Sequence, residues 1–207
     1  MTEALVICGG GPTDAPLPPM HSPLVIAADG GAAEAFRLGL HVDVLVGDLD
    51  SITPEDLAAV ERDGGAVERH PQDKDATDLE LALDRAAAAG VTRVVVAGGD
   101  GGRLDMTLAN ALLLASPRYA GLELDAVFGR ARLTVVRTRR ALAGAPGDLV
   151  SLLALGGPAT GVRTEGLRWA LDGATLEPGS TLGISNAFLG TEAAVEVGAG
   201  TIVAVQP

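Results

Sequence analysis

Four short apolar runs, each closed by glycine or aspartate, constrain this chain more than any other feature. They are EALVICGGG (3–11), LVIAADGG (24–31), VDVLVGDLDS (42–51) and VTRVVVAGG (91–99). A run that is apolar at successive positions has no solvent face, so as a strand it must be covered on both sides. Helical segments lie between the runs. AAEAFRLGL runs to Gly39, and TPEDLAAVERDGG starts at Thr53 as N-cap with Pro54 behind it. Thr77 and Glu80 form a T-x-x-E capping box ahead of Leu79, Ala82, Leu83 and Ala86, and DMTLANALLLAS is closed by Pro117. Strands alternating with helices predict an α/β domain with a mostly parallel sheet and helices on both faces.

The pattern changes after about residue 121. LELDAVF, ARLTVVR, DLVSLLAL, GVRTEGLRWAL, TLGISNAF, AAVEVG and TIVAVQP read as short strands separated by Gly and Pro turns. They predict an all-β sandwich domain following the α/β domain. The change of pattern falls between 121 and 145, and the division is drawn as 1–125 and 126–207. Aromatic residues are only 2%, so both cores must rest on Val, Leu, Ile and Ala. The five arginines of FGRARLTVVRTRR are read as a solvated strand face.

Net charge −12 argues against a phosphate-tracking nucleic-acid binder. The single cysteine, Cys8, lies in an apolar run and permits no internal disulfide, which fits a cytoplasmic protein. No secretory signal is evident, and no apolar run approaches the ~20 residues of a membrane span.

In an open parallel sheet, ligands bind beyond the carboxyl ends of the strands. Those ends carry Asp29, then Gly47, Asp48, Asp50 and Ser51, and then Gly98 and Gly99 leading into Gly102, Arg103 and Asp105. Asp75, Thr77 and Asp78 stand at a helix start, beside Lys74, the only lysine in the chain. Asp48 and Asp50 are two apart, so in extended backbone their carboxylates share a side; Asp75 and Asp78 are three apart and share a face at a helix start. Clustered carboxylates repel, and a hard divalent cation such as Mg²⁺ relieves the repulsion while bridging to phosphate oxygens. Gly99 and Gly102 let backbone N–H groups approach a phosphate, and Arg103 and Lys74 supply positive charge. No G-x-x-x-x-G-K-[ST], no G-x-G-x-x-G after a strand, no Cys/His cluster and no serine triad is present.

These motifs add up to a resemblance. AADGG (27–31), GDLDS (47–51), KDATDLELAL (74–83), GGRLD (101–105) with Asn110, SLLAL (151–155), GVRTEGLRWAL (161–171) and GISN (183–186) occur in the order seen in thiamine pyrophosphokinases. The sequence resembles that family along nearly its whole length. The resemblance implies an ATP-binding catalytic domain and a thiamine-binding β-sandwich. It implies transfer of the β,γ-pyrophosphoryl unit of MgATP to the thiamine hydroxyl, with release of AMP, by a homodimer whose active sites lie at the subunit interface. It makes Asp48, Asp50, Asp75 and Asp78 the acidic metal and catalytic site, with Arg103 and Asp105 as further catalytic groups. Asp29, Lys74, Thr77, Gly99, Gly102 and Arg103 become ATP-site groups, and Trp169, Ser185 and Asn186 the thiamine side. Asp50 and Asp75 are the alternatives for the acid that accepts the hydroxyl proton.

Two positions depart from the family pattern. Met106 follows the RLD aspartate where histidine is usual, and Ala187 follows SN where an acid is common. A thioether neither donates nor accepts a proton. The departures therefore leave two alternatives open: a non-catalytic thiamine or nucleotide binder, or the same chemistry on another primary alcohol such as a hydroxymethyl pterin.

Overall fold

The computed structural model describes residues 2–207, which divide into two compact units. The first holds the residues up to Leu113 together with Gly121–Arg130. The second holds Leu114–Ala120 and Ala131–Pro207.

In the first unit, six strands form a wholly parallel sheet: β1 (Glu3–Cys8), β2 (Leu24–Ala28), β3 (Val44–Gly47), β4 (Ala66–Arg69), β5 (Arg93–Ala97) and β6 (Glu123–Phe128). Their order is β6-β5-β1-β2-β3-β4. Val6 pairs with both Ile26 and Val96, so β1 is the centre of the sheet. Four helices complete the unit: α1 (Gly31–Arg37), α2 (Pro54–Arg62), α3 (Asp78–Ala88) and α4 (Leu104–Leu114).

Strand parity separates the two faces. Leu5, Ile7, Val25, Ala27 and Leu45 pack with Ala32 and Ala35 of α1 and Val60 of α2. The alternate residues Ala4, Val6, Ile26, Val44 and Val94 are equally buried on the opposite face. There α3 lies over β1, β2 and β3, burying Leu79, Ala82, Leu83 and Ala86. Each fully buried Ile or Leu contributes roughly 2–3 kcal/mol of burial free energy. The caps form as the sequence predicts: Thr53 Oγ1 accepts from Asp56 N–H at 3.1 Å, and Thr77 Oγ1 accepts from Glu80 N–H at 3.2 Å.

One strand belongs elsewhere than its sequence suggests. LELDAVF reads like the short strands that follow it, yet β6 pairs parallel to β5, Val96 opposite Ala126. Its last five residues are all buried, as a strand covered on both faces requires, and this is the signature of the first half of the chain.

The second unit is all antiparallel. Strands β7 (Ala131–Val136), β8 (Arg139–Ala143), β9 (Leu149–Ala154), β10 (Ala159–Glu165), β11 (Ala174–Leu176), β12 (Asn186–Ala187), β13 (Glu192–Glu196) and β14 (Ile202–Gln206) are distributed over two sheets. Within this unit the orders are β12-β9-β14-β7 and β11-β10-β13-β8. Leu152, Val162, Leu167, Phe188, Val195 and Ile202 are among the residues of one shared core, as in a sandwich. The run TLGISNAF is mostly turn rather than strand, because Ser185 at φ 56° breaks extension. Of the five arginines read as a solvated face, Arg130, Arg132 and Arg139 are exposed, Arg139 pairing with Glu165 at 3.0 Å, whereas Arg137 is partly buried and donates to the Leu114 and Ser116 carbonyls at 3.0 and 3.1 Å.

Candidate active site

The chain runs outward from β1 through β2, β3 and β4, then crosses back to place β5 on the other side of β1. The carboxyl end of β1 is therefore the topological switch point, where open parallel sheets leave a crevice. A cavity of about 390 Å³ opens there. Cys8, Gly9 and Gly10 line it from the end of β1, Asp29 and Gly30 from β2, and Gly99 and Gly101 from β5. Ser51, Thr77 and Asp78 close one side, and Arg103, Met106 and Asn110 the other.

Two glycines make this edge possible. A Cβ on Gly101 would lie 0.6 Å from the Gly10 carbonyl oxygen, so the two loops touch backbone to backbone. A Cβ on Gly47, whose φ is 148°, would meet Asp78 Oδ1 at 2.9 Å and Asp29 Cβ at 3.1 Å. Only glycine at the end of β3 lets those two acids meet above it.

Asp29, Asp48 and Asp78 each bring a carboxylate oxygen within 4.8 Å of the others. Asp29 is buried, and burial raises its pKa above the ordinary carboxylate value against hydrogen bonds from Ser51 and the Gly30 backbone. Lys74 Nζ lies 3.1 Å from Asp48 Oδ2 and 2.9 Å from Asp78 Oδ1. The second approach lacks hydrogen-bond alignment, since Asp78 Oδ1 is buried with no aligned donor, so it is a charge contact. The Lys74 hydrogen bond holds the Asp48 pKa below the ordinary value. Burial opposes the Lys74 charge, but Asp78 and Asp48 together outweigh it and raise its pKa.

Asp50 and Asp75 lie outside this triad. The expectation for Asp48 and Asp50 assumed extended backbone, but Leu49 between them sits at φ 64°. The chain turns there, and exposed Asp50 accepts from Ser51 Oγ at 2.9 Å and Gln72 Nε2 at 3.2 Å. Asp75 precedes the Thr77 N-cap, so it is not on the helix that carries Asp78, and it is exposed. Arg103 reaches the cavity and forms a two-point pair with Asp105, its Nη2 2.6 Å from Asp105 Oδ2, with both side chains exposed. That pair raises the Arg103 pKa and lowers that of Asp105. Gly99 is fixed by Asn110, whose Nδ2 donates to its carbonyl at 2.8 Å; Gly102 is exposed beside Gly101. Cys8 is fully buried, and burial, then the Asp78 charge, pushes its thiol up to about 12, so it is inert.

The cavity residues not anticipated as site groups are Gly9 and Gly10. Gly9 and Gly10 were visible as a glycine turn after an apolar run, while the inward aim of Met106 follows only from the helix.

In the second unit, exposed Trp169 stands after β10 with Arg168 Cζ 5.2 Å from its ring centroid. Asn186 is buried and bonds the Trp169 backbone at both groups. Ser185 is exposed, and its N–H donates to Ser151 Oγ at 3.0 Å.

A switch-point cavity walled by glycine turns, lined by Arg103 and by two acids of a carboxylate triad that also holds Lys74, defines an α/β enzyme of the phosphoryl-transfer kind. Residues 20–125 match the family model for the thiamin pyrophosphokinase catalytic domain, and residues 134–202 the model for its vitamin B1 binding domain. The chain belongs to the thiamin pyrophosphokinase family. It is 27% identical over 207 aligned positions to thiamine pyrophosphokinase 1 of Oryza sativa subsp. japonica, covering 84% of this chain and 75% of that one. The crystal structure of thiamine pyrophosphokinase from Bacillus subtilis superposes with a TM-score of 0.85 at 21% identity, over 99% of this chain and 98% of that one. That of a family protein from Enterococcus faecalis gives 0.82 at 24%, over 100% and 98%. The reaction of the family is pyrophosphoryl transfer from ATP, with a divalent metal ion, to thiamine.

Proposed function

We propose that this reaction runs at the switch-point cavity of the first unit, with Mg²⁺ as the metal. The observation that carries this reading is the triad of Asp29, Asp48 and Asp78, of which Asp29 and Asp78 line the glycine-walled cavity and Asp48 and Asp78 are joined by Lys74. The triad fits a hard cation: its ligands are oxygens, and the buried Asp78 Oδ1 lacks an aligned donor. Asp29, Asp48 and Asp78 would hold the ion, which when bound draws charge from the ATP phosphates. The N–H groups of the Gly9–Gly10 turn and of Gly101–Gly102 cradle phosphate oxygens, while the Gly99 N–H is already given to the Gly9 carbonyl at 3.2 Å, and Arg103 and Lys74 offset the phosphate charge. Phosphoryl-type transfer depends on positioning and neutralisation more than on covalent help. Asp50 or Asp75, both outside the triad, accepts the hydroxyl proton, Asp50 while also accepting from Ser51 Oγ and Gln72 Nε2. Trp169 offers a π face to the thiamine cation.

The same reading includes a homodimer and a cytoplasmic location. Leu104, Leu108 and Leu112 recur every four residues on α4 and are 73%, 57% and 55% exposed, an apolar stripe that a second copy would cover. Among the described residues no helix is long and apolar enough to cross a membrane.

Incubation with MgATP and thiamine tests the reaction: AMP and thiamine diphosphate are expected in equal amounts, and ADP without AMP refutes it. Asp78→Asn lowers turnover by at least the ~10²-fold scale of lost electrostatic stabilisation. Met106 in the cavity wall favours one second reading, a binding protein without turnover. Thiamine binding without AMP release, with release restored by Met106→His, would establish it.

A further inference from the structure

We propose that Asn186 is a positioning residue, whose buried carboxamide fixes the Trp169 ring as a platform for the thiamine cation rather than contacting the substrate. This rests on the reading that Trp169 meets thiamine. Trp169 is 56% exposed, so core packing does not hold its ring. Its backbone is held instead. Trp169 N–H donates to Asn186 Oδ1 at 3.1 Å, and Asn186 Nδ2 donates to the Trp169 carbonyl at 2.8 Å. Ala187 N–H donates to the same Oδ1 at 2.9 Å. Two N–H groups on the oxygen and one carbonyl on the nitrogen fix which way the amide points.

An amide oxygen has two lone pairs, so Oδ1 is saturated by protein donors. Asn186 is 2% exposed, which withdraws the remainder of the group from solvent. The neighbouring bonds reinforce the clamp: Arg168 N–H donates to the Ala187 carbonyl at 2.9 Å, and Leu171 N–H to Thr164 Oγ1 at 2.8 Å. With the backbone fixed and the Arg168 guanidinium over one ring face, the opposite face is the one left for a cationic ring. Holding an exposed indole before binding removes an ordering cost that the ligand would otherwise meet.

Trp169 is the only tryptophan, so its fluorescence reports its own position. In ligand-free protein, Asn186→Ala should lower Trp169 anisotropy and raise acrylamide quenching. Asn186→Asp keeps the acceptor oxygen but sets a second oxygen against the Trp169 carbonyl, so it should loosen the ring as well, and it serves if the alanine variant does not fold. The KM for thiamine should rise about tenfold, the scale of one lost hydrogen bond, with the KM for ATP and kcat little changed. In a double-mutant cycle, Asn186→Ala should add nothing to Trp169→Ala in thiamine KM. Unchanged anisotropy and quenching, or additive effects in the cycle, would overturn the proposal and make Asn186 a direct contact. If thiamine is not turned over, the proposed function fails while the fluorescence of ligand-free protein still decides the role of Asn186.

Discussion

Replacing Lys74 with methionine removes the internal cation of the site and keeps the length of the side chain. Lys74 touches Asp48 at 3.1 Å and Asp78 at 2.9 Å, and the Lys74 and Asp48 side chains are only 13% and 14% exposed. At ~3 Å and an effective dielectric of about 20, each contact has a gross Coulomb energy of roughly 5 kcal/mol. Most of it is offset by desolvating the ammonium. Removing one partner of a buried pair costs about 3–5 kcal/mol, while exposed pairs contribute about 1 kcal/mol or less. Asp78 is the most exposed of the three at 30%, so water reaches the cluster, and about 2 kcal/mol is expected. For a chain of this size that lowers Tm by roughly 4–8 °C.

Thermal unfolding in EDTA and then in millimolar Mg²⁺ reads both halves of this argument. In EDTA, Lys74→Met should melt below the wild type. Mg²⁺ should recover most of the loss, because a divalent cation relieves the same repulsion between Asp48 and Asp78. The gap should also depend on pH. The folded pKa of Asp48 is depressed by Lys74, so its stabilisation is present above the unfolded value near ~3.9 and lost as pH falls through the folded value. The folded pKa of Lys74 is raised, so its share is present below about 10.4 and lost as pH rises through the folded value. A plateau between about pH 5 and 10 is expected, closing at both ends. Equal melting of the two proteins in EDTA, or equal Mg²⁺ shifts, would refute the view that Lys74 neutralises a cation site.

Two further perturbations address the buried acid and the helix stripe. Asp29→Asn retains a residue that accepts φ 46° and removes a charge that burial disfavours. Its folded pKa is raised, so its favourable contribution is present only below the unfolded pKa and is lost as pH rises. The variant should therefore melt at or above the wild type in EDTA at pH 7, converge with it below about pH 4, and lose the Mg²⁺-induced shift, all by calorimetry. Leu108→Asp puts a charge in the α4 stripe and should shift the mass measured by light scattering from dimer to monomer; an unchanged dimer would place the interface elsewhere.

The division into a parallel sheet and an antiparallel sandwich was legible because burial on both faces leaves continuous apolar runs, and burial on one face leaves alternation. β1 and β5 show the first pattern and β10 the second. β6 was misplaced because six apolar or isolated polar residues carry no mark of parallel or antiparallel pairing. The identities of Asp29, Asp48, Asp78 and Lys74 were visible in the motifs, but their grouping was not. Spacing placed Asp50 with Asp48 and Asp75 with Asp78, whereas the fold joins Asp48 and Asp78 to Asp29 across three chain segments. Asn186 was visible as a polar group beside Ser185; its use of Trp169 as partner spans 17 positions along the chain.

The spacing arguments failed at particular backbone angles. The described non-glycine residues with positive φ are Ser22, Asp29, Leu49 and Ser185, and three of these four lie within AADGG, GDLDS and GISN. An aspartate tolerates this region, but a leucine does not visit it without constraint. A residue held there costs on the order of 1–3 kcal/mol, which the surrounding structure must supply. At Leu49 the reward is visible. The turn keeps Asp48 on Lys74 and sends Asp50 to Ser51 and Gln72, so neighbouring acids serve different partners. At Asp29 the turn lets a buried carboxylate face Asp78 over the bare Cα of Gly47. Periodicity reports the backbone that a chain adopts when packing alone decides. These motifs depart from it because their side chains must converge, and that convergence requires conformations no regular strand or helix provides.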